Sequence, residues 1–238
     1  MRLSMIVPIA ADRKEYENEM PRPFTFHRDG TMLCVKSIEG LELEKFSEIY
    51  FVILQKHEER YSLSELLKIQ FQRKGWTNAK IVILDTPTLS QAETVYQTIK
   101  KMDIHDGVFI KDADGYFKCE ITKQNGITIY PLDDLDFVDP KHKSYVQIDN
   151  QFYITNIIER KIIGRYFNAG GYLFDSADKY CRYYEKVISM IGDKQNHLCL
   201  SHIVYEMLLN KEQFRPFFAN RYEDWSNEVL TNYMNIRR

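Results

Sequence analysis

The chain has 238 residues, of which 44% are hydrophobic and 28% charged, and its formal net charge is −2. The length fits one large domain, and the charge balance excludes a general attraction to nucleic acid or to an anionic membrane. The apolar run at 5–11 is too short to cross a bilayer, so we expect no membrane span.

The cysteines and histidines form no metal-ligand pattern. Neither the six histidines nor the four cysteines show ligand spacing, and no Cys-x-x-Cys pair occurs among Cys34, Cys119, Cys181 and Cys199. We therefore expect neither a zinc site nor a disulfide framework, and a reducing, cytoplasmic location.

The first two-thirds of the chain alternates strand-like and helix-like segments. Strands are predicted at 5–10, 49–54, 80–84 and 107–111, and helices at 62–71 and 91–102. The unbroken apolar run at 49–54 is typical of a strand covered on both faces. This alternation predicts a mostly parallel sheet with right-handed crossovers.

Short antiparallel strands are predicted next, at 118–122, 127–130, 145–148 and 152–154, with a hairpin turn at 149–150. Helices return at 177–191, between the capping residue Ser176 and Gly192, and at 198–209. Ser226 is a candidate cap for a last helix. The pattern predicts a single α/β domain over 1–238, with a mostly parallel central sheet, flanking helices and a small antiparallel insertion.

Two carboxylates, Asp112 and Asp114, directly follow the predicted strand at 107–111. Mg²⁺ and Mn²⁺ prefer oxygen ligands, and ligands of open α/β sheets bind at the carboxyl ends of strands. The pair therefore indicates a divalent-cation site. A plain turn is the alternative, because Gly115 follows and turns are rich in Asp and Gly.

Seven short segments can be compared in order along the chain: 6–13 with 21–24, 50–53, 88–94, 112–114, 145–149 with 158–160, 168–174 and 223–226. In this order they resemble the sugar-phosphate nucleotidyltransferases, the pyrophosphorylases that make nucleotide sugars, over about 5–233. The resemblance implies a Rossmann-like fold, with a nucleotide-binding part at about 1–117 and an acceptor-binding part at about 118–238.

For the nucleotide, the resemblance implies a phosphate loop at Ala10, Ala11 and Arg13, a second phosphate ligand at Arg22, and contact of Gln91 with the base. The family's phosphate loop is rich in glycine, which lets backbone N–H groups approach phosphates. This loop has no glycine, so arginine side chains are expected to bind more of the triphosphate. Solvated loop charges and a surface glutamine are the alternatives.

For the acceptor, the resemblance implies that Glu159 accepts a hydrogen bond from a sugar hydroxyl and that Arg160, or Lys161 beside it, binds the sugar phosphate. Asn168, Gly170 and Gly171 are expected to shape the sugar pocket. A charged strand end and a glycine bulge would explain the same residues without any ligand.

Asp224 occupies the place of the family's second metal carboxylate, so Asp112, Asp114 and Asp224 are the predicted ligands of Mg²⁺ or Mn²⁺. The predicted catalytic residues are Arg13, Arg22 and Asp112. The implied reaction is metal-dependent: it joins a nucleoside triphosphate to a sugar-1-phosphate or similar small phosphate and releases pyrophosphate. The activated sugar is expected to serve surface polysaccharide synthesis. A GT-A glycosyltransferase and a non-catalytic nucleotide-sugar-binding domain remain alternatives, and a homo-oligomer is left open.

Overall fold

The computed structural model describes residues 2–10, 19–134, 143–192 and 198–225. The strands in these parts are β1 (Leu3–Pro8), β2 (Glu48–Leu54), β3 (Ala79–Leu84), β4 (Gly107–Lys111), β5 (Gly115–Lys118), β6 (Gly126–Pro131), β7 (Ser144–Ile148), β8 (Ile154–Glu159), β9 (Tyr166–Phe174), β10 (Arg215–Phe218) and β11 (Arg221–Asp224). The helices are α1 (Leu33–Lys36), α2 (Gln55–Tyr61), α3 (Leu63–Lys74), α4 (Gln91–Met102), α5 (Ala177–Ile191) and α6 (Leu200–Leu209), with 3₁₀ turns at Arg22–Phe24, Leu43–Lys45 and Leu132–Asp134.

Nine strands form one sheet. Seven of them lie in the order β10-β6-β9-β4-β1-β2-β3, and β7 pairs with both β9 and β8. The strands β4, β1, β2 and β3 run parallel, as do β10 and β6, whereas β9 runs antiparallel between the two groups. A separate antiparallel ribbon joins β5 and β11. The predicted α/β class, with a mostly parallel central sheet and a small antiparallel part, is confirmed.

The sheet is covered on both faces, which explains the unbroken apolar run of β2. Ile6 and Val52 face α4, α5 and α6, whereas Val7 and Phe51 face α1 and α3. Because successive side chains of a strand point to opposite faces, each central strand contributes to both cores. Within the described residues, no helix is long and apolar enough to cross a membrane.

Two helices begin and end as predicted, at α4 and α5. The Ser90 hydroxyl caps α4 by accepting from the Glu93 amide at 3.2 Å, and Ser176 accepts from the Lys179 amide in α5 at 3.2 Å. Gly192 ends α5 with a φ of 55°. These caps satisfy amides that lack a partner inside the helix.

Two local predictions need correction, and one strand was missed. The strand predicted at 118–122 lies earlier, as β5, because its pairing with β11 begins at Gly115 opposite Asp224. The strand predicted at 152–154 is mostly turn, since the Asp149 carboxylate accepts from the amides of Gln151 and Tyr153, and β8 follows. The nine-residue strand β9 was not predicted. The predicted helix after Ser226 lies outside the described residues, and the proposed division near residue 117 stays a prediction.

Candidate functional site

Three predicted site residues meet at the carboxyl ends of β1 and β4. These strands are parallel neighbours, so Ala10 and Asp112 emerge at the same edge of the sheet. The helix α4 begins there: the Thr88 hydroxyl lies 3.5 Å from the Ala10 carbonyl oxygen, and Gln91 Nε2 donates to Asp112 Oδ1 at 2.5 Å. Gln91 therefore orients a carboxylate, and its predicted contact with a base stays a prediction.

A bulge in β9 supports Asp112 from behind. Between Asn168 and Tyr172, β9 spans four steps while β6 spans two. The Asn168 side-chain oxygen holds the bulge by accepting from the amides of Gly170 at 2.8 Å and Gly171 at 3.3 Å. The Gly170 carbonyl accepts from the Asp112 amide at 2.8 Å. The three residues predicted to shape a sugar pocket thus form the wall against which Asp112 lies.

Gly170 has no room for a side chain. Its φ is +96°, and an added Cβ would lie 2.9 Å from Asp112 Oδ2 and 3.0 Å from Asp112 Cβ. We expect Gly170→Ala to turn the carboxylate away and to lower turnover roughly 10- to 100-fold, because small misplacements of catalytic groups are costly. Turnover and thermal unfolding, measured on the same preparation, check this.

The matched control is Gly75→Ala, where φ is +69° and an added Cβ would meet nothing within 4 Å. It is expected to cost about 1 kcal/mol of stability, from the backbone alone, and to leave turnover unchanged. Equal turnover losses in the two variants would contradict a specific role for Gly170.

A buried lysine holds the turn that carries both carboxylates. Lys111, the last residue of β4, is fully buried, and its Nζ donates to the carbonyls of Asp112 at 2.5 Å and Gly115 at 2.8 Å. The ammonium also lies 4.5 Å from the centre of the Phe117 ring. Burial lowers the pKa of Lys111 to about 8, although Asp112 and Asp114 oppose the shift. Lys111 therefore fixes the two ends of the 112–115 turn relative to each other.

The ribbon of β5 and β11 brings Asp224 beside this turn. Gly115 pairs with Asp224, and the Trp225 amide donates to the Asp114 carbonyl at 2.9 Å. Lys143, the residue before β7, binds the ribbon: its Nζ lies 2.6 Å from Asp224 Oδ2 and donates to the Tyr222 hydroxyl at 2.6 Å.

Burial by itself would lower the pKa of Lys143, but the oxygens of Tyr222 and Asp224 outweigh it and raise this pKa above its ordinary value. The ammonium therefore stays charged in the neutral pH range. The Lys143 ammonium thus pairs with Asp224, one of the three predicted metal ligands.

Asp112 and Asp114 have the donor chemistry of a divalent-cation site. Burial, and then repulsion from Asp114, raise the pKa of Asp112 to about 6. A bound cation would relieve this repulsion, and two carboxylates suit Mg²⁺, which takes its other ligands from water or phosphates. Among the described residues, no three His, Cys, Asp or Glu side chains are grouped to hold a metal ion. The Asp112–Asp114 pair fits the ion, and shared ligation by Asp224 stays a prediction.

The predicted acceptor residues form an adjoining cluster. Glu159 ends β8 opposite Ser144, whose hydroxyl donates to Glu159 Oε1 at 2.5 Å; the Ser201 hydroxyl donates to the same oxygen. The buried Tyr172 lies between this cluster and Asp112 and is hydrogen-bonded to Ser144. Burial raises the pKa of Tyr172, and the negative charges of Glu159 and Asp112 raise it further.

Arg160 follows Glu159 with a φ of 59°, and its amide donates to the Lys143 carbonyl at 2.8 Å while its side chain is exposed. The structure therefore places both predicted acceptor residues next to the Lys143 segment. Their contact with a sugar phosphate stays a prediction.

The predicted arginines are placed less fully. Arg22 is half-buried in its 3₁₀ turn, where its carbonyl accepts from the Thr25 amide and hydroxyl. Ala11 and Arg13 lie outside the described residues. The phosphate contacts of both arginines stay predictions.

Sequence reasoning missed Lys111, Lys143, Tyr172, Ser201 and Tyr222. Lys111 carried a usable signal, since a lysine directly after a strand-like apolar run and before two carboxylates is poorly explained as a surface residue. The others come from separate strands and helices, and only the fold brings them to the site.

No family model matches the sequence, and no curated protein matches it. Solved structures do match. A nucleoside-diphosphate-sugar pyrophosphorylase from Vibrio cholerae is similar with a TM-score of 0.76 at 12% identity, over 99% of this chain and 100% of that chain.

Two further structures share the fold. An inositol-1-phosphate CTP transferase from T. maritima gives a TM-score of 0.66 at 16% identity, over 99% of this chain and 95% of the other. A Bacillus anthracis protein assigned as a glucose-1-phosphate thymidylyltransferase gives a TM-score of 0.70 at 11% identity, over 100% of this chain and 94% of the other. The chain therefore has the fold of the sugar-phosphate nucleotidyltransferases, as its sequence resemblance implied.

Proposed function

We propose that the protein is a nucleotidyltransferase that joins a nucleoside triphosphate to a sugar-1-phosphate or similar small phosphate and releases pyrophosphate. The observation that carries the proposal is the position of Asp112. It lies at the carboxyl edge of the parallel strands, fixed by Gln91, Lys111 and Gly170. The three similar structures support it, because each is named for a reaction of this class.

The chemistry requires positioning and charge neutralisation and no side-chain nucleophile. An oxygen of the acceptor phosphate forms a bond to the α-phosphorus of the triphosphate, and the bond from that phosphorus to the β-phosphate oxygen breaks. A divalent cation bound by Asp112 and Asp114 would supply positive charge for the two anionic reactants. The chain itself orients Asp112 through Gln91 and holds the 112–115 turn through Lys111.

The two substrates are proposed to bind on either side of Asp112. Ala10, Ala11, Arg13 and Arg22 would contact the triphosphate, and Gln91 would contact the base. Glu159, fixed by the hydroxyls of Ser144 and Ser201, would accept a hydrogen bond from a sugar hydroxyl, and Arg160 would bind the sugar phosphate. Supply of activated sugars for surface polysaccharide is the role that this reaction would serve.

A panel assay tests the proposal. The protein is incubated with each common nucleoside triphosphate, Mg²⁺ and a set of sugar-1-phosphates and polyol phosphates, and pyrophosphate is measured. Release that requires one triphosphate and one phosphorylated acceptor supports the proposal. Cleavage of a nucleotide sugar would instead identify a glycosyltransferase, and nucleotide-sugar binding without turnover would identify a binding domain.

A further inference from the structure

Lys143 is the feature of the site that the proposed reaction does not explain. Its side chain is 13% exposed and that of Asp224 is 21% exposed, and the two are 2.6 Å apart. The pair is therefore largely shielded from water. Opposite charges attract more strongly in such a site than at the protein surface.

The lysine is held from several sides. Its Nζ also donates to the Tyr222 hydroxyl at 2.6 Å, and its carbonyl accepts from the Arg160 amide at 2.8 Å. Tyr222 and Asp224 stand two residues apart on β11, so their side chains point to the same face. The ribbon thus presents two oxygens to one ammonium, which keeps the ammonium beside Asp224.

The three carboxylates of the site differ in their charged neighbours. Asp112 and Asp114 repel each other, whereas Asp224 already has a positive partner. A divalent ion that used Asp224 would have to lie close to the ammonium or displace it. Two like charges that lie close together and are poorly screened repel each other strongly.

We propose that Lys143 is a built-in cation of the site, which neutralises Asp224 and so weakens the site's affinity for a divalent ion. This rests on the proposed function only in assigning the ion to Asp112 and Asp114. The wild-type chain then depends on those two carboxylates, and removal of the ammonium leaves the negative charge of Asp224, whose backbone pairs beside the 112–115 turn, able to attract the ion.

Calorimetric titration of Mn²⁺ into the protein without nucleotide tests this directly. Lys143→Met is expected to bind Mn²⁺ about tenfold or more tightly than the wild type, because a nearby positive charge is lost. Lys143→Gln, which keeps a donor for Asp224, is a second variant should the first not fold, and thermal unfolding verifies both. The double variant with Asp224→Asn is expected to return to near the wild-type affinity.

The matched control is Lys80→Met. Lys80 lies 2.7 Å from a Glu48 carboxylate oxygen, but its side chain is 49% exposed and it lies on β3, away from the site. Its removal is expected to change Mn²⁺ affinity less than about twofold, because exposed charges are screened.

Unchanged or weaker Mn²⁺ binding in the folded Lys143 variants would overturn the proposal, as would a failure of every variant to bind Mn²⁺. These outcomes are separate from the panel assay. Pyrophosphate release by the wild type together with unchanged Mn²⁺ binding in the variants rejects the role of Lys143 alone. Tighter binding in a protein that turns over no substrate rejects the proposed reaction alone.

Discussion

Asp112→Asn is expected to lower turnover by at least about 100-fold, the typical loss when one preorganised charge-stabilising group is removed from an active site. The substitution keeps the shape of the side chain, and the asparagine oxygen can still accept from Gln91 Nε2. What is lost is the negative charge that would hold a cation next to Asp114. Steady-state kinetics at saturating Mg²⁺, with pyrophosphate as the readout, measure the effect.

The same substitution is expected to stabilise the fold at neutral pH. Burial and Asp114 raise the pKa of Asp112 to about 6 from its usual 3.8, so the folded chain favours the protonated form. The stability that this preference provides is present below pH 4 and is lost as the pH rises through 6. At pH 8 the wild type therefore carries a penalty that asparagine lacks, roughly 3 kcal/mol for a pKa that rises from 3.8 to about 6.

Denaturant unfolding at pH 4 and pH 8, in the presence of a chelator, measures this difference. The stabilisation by Asp112→Asn should appear at pH 8 and nearly vanish at pH 4. Asp133→Asn is the control, since Asp133 is 64% exposed and pairs with Arg165 at the surface. A stable variant with wild-type turnover would remove Asp112 from the active site.

Gly40→Ala is expected to destabilise the fold by roughly 3 kcal/mol or more, at the upper end of the usual cost of overpacking. An added Cβ would lie 2.0 Å from the Phe117 carbonyl oxygen, in β5. The obstacle is backbone, which cannot rotate away as a side chain can. The turn at 37–40, which contains Gly40, must therefore separate from β5. Because β5 pairs with the strand that carries Asp224, the ribbon at the site should be disturbed as well.

Denaturant unfolding again provides the measurement, with Gly75→Ala as the comparison. That variant changes only the backbone cost, since its Cβ would meet open space. A loss below about 1 kcal/mol for Gly40→Ala would show that the turn and β5 do not pack as closely as the structure has them.

Much of the fold could be predicted because its signals are local. Ser90 and Ser176 cap α4 and α5, and the apolar run of β2 reflects burial on both faces. The strand β9 gave no such signal, since its centre contains Asn168, Gly170 and Gly171. Gly171 is required there because a Cβ would lie 2.7 Å from Thr128 and 2.8 Å from Phe109. That requirement comes from tertiary packing and leaves no periodic pattern.

The candidate site divides in the same way. Asp112 was predictable because strand, turn and carboxylates are adjacent in sequence. The contact of Lys143 with Tyr222 joins residues 79 positions apart, through β7 and β11, and neither strand identifies its partner. The support that Gln91 gives Asp112 was missed because the glutamine was interpreted by resemblance alone.

The origin of the bridging oxygen tests the proposed reaction most directly. The acceptor that is active in the panel assay is labelled with ¹⁸O in its phosphate. The products are then separated, and the ¹⁸O content of each is determined by mass spectrometry. We expect all of the label in the nucleotide-linked product and none in the pyrophosphate, because the acceptor phosphate oxygen attacks the α-phosphorus. Label in the pyrophosphate, or a product formed without pyrophosphate, would contradict nucleotidyl transfer at this site.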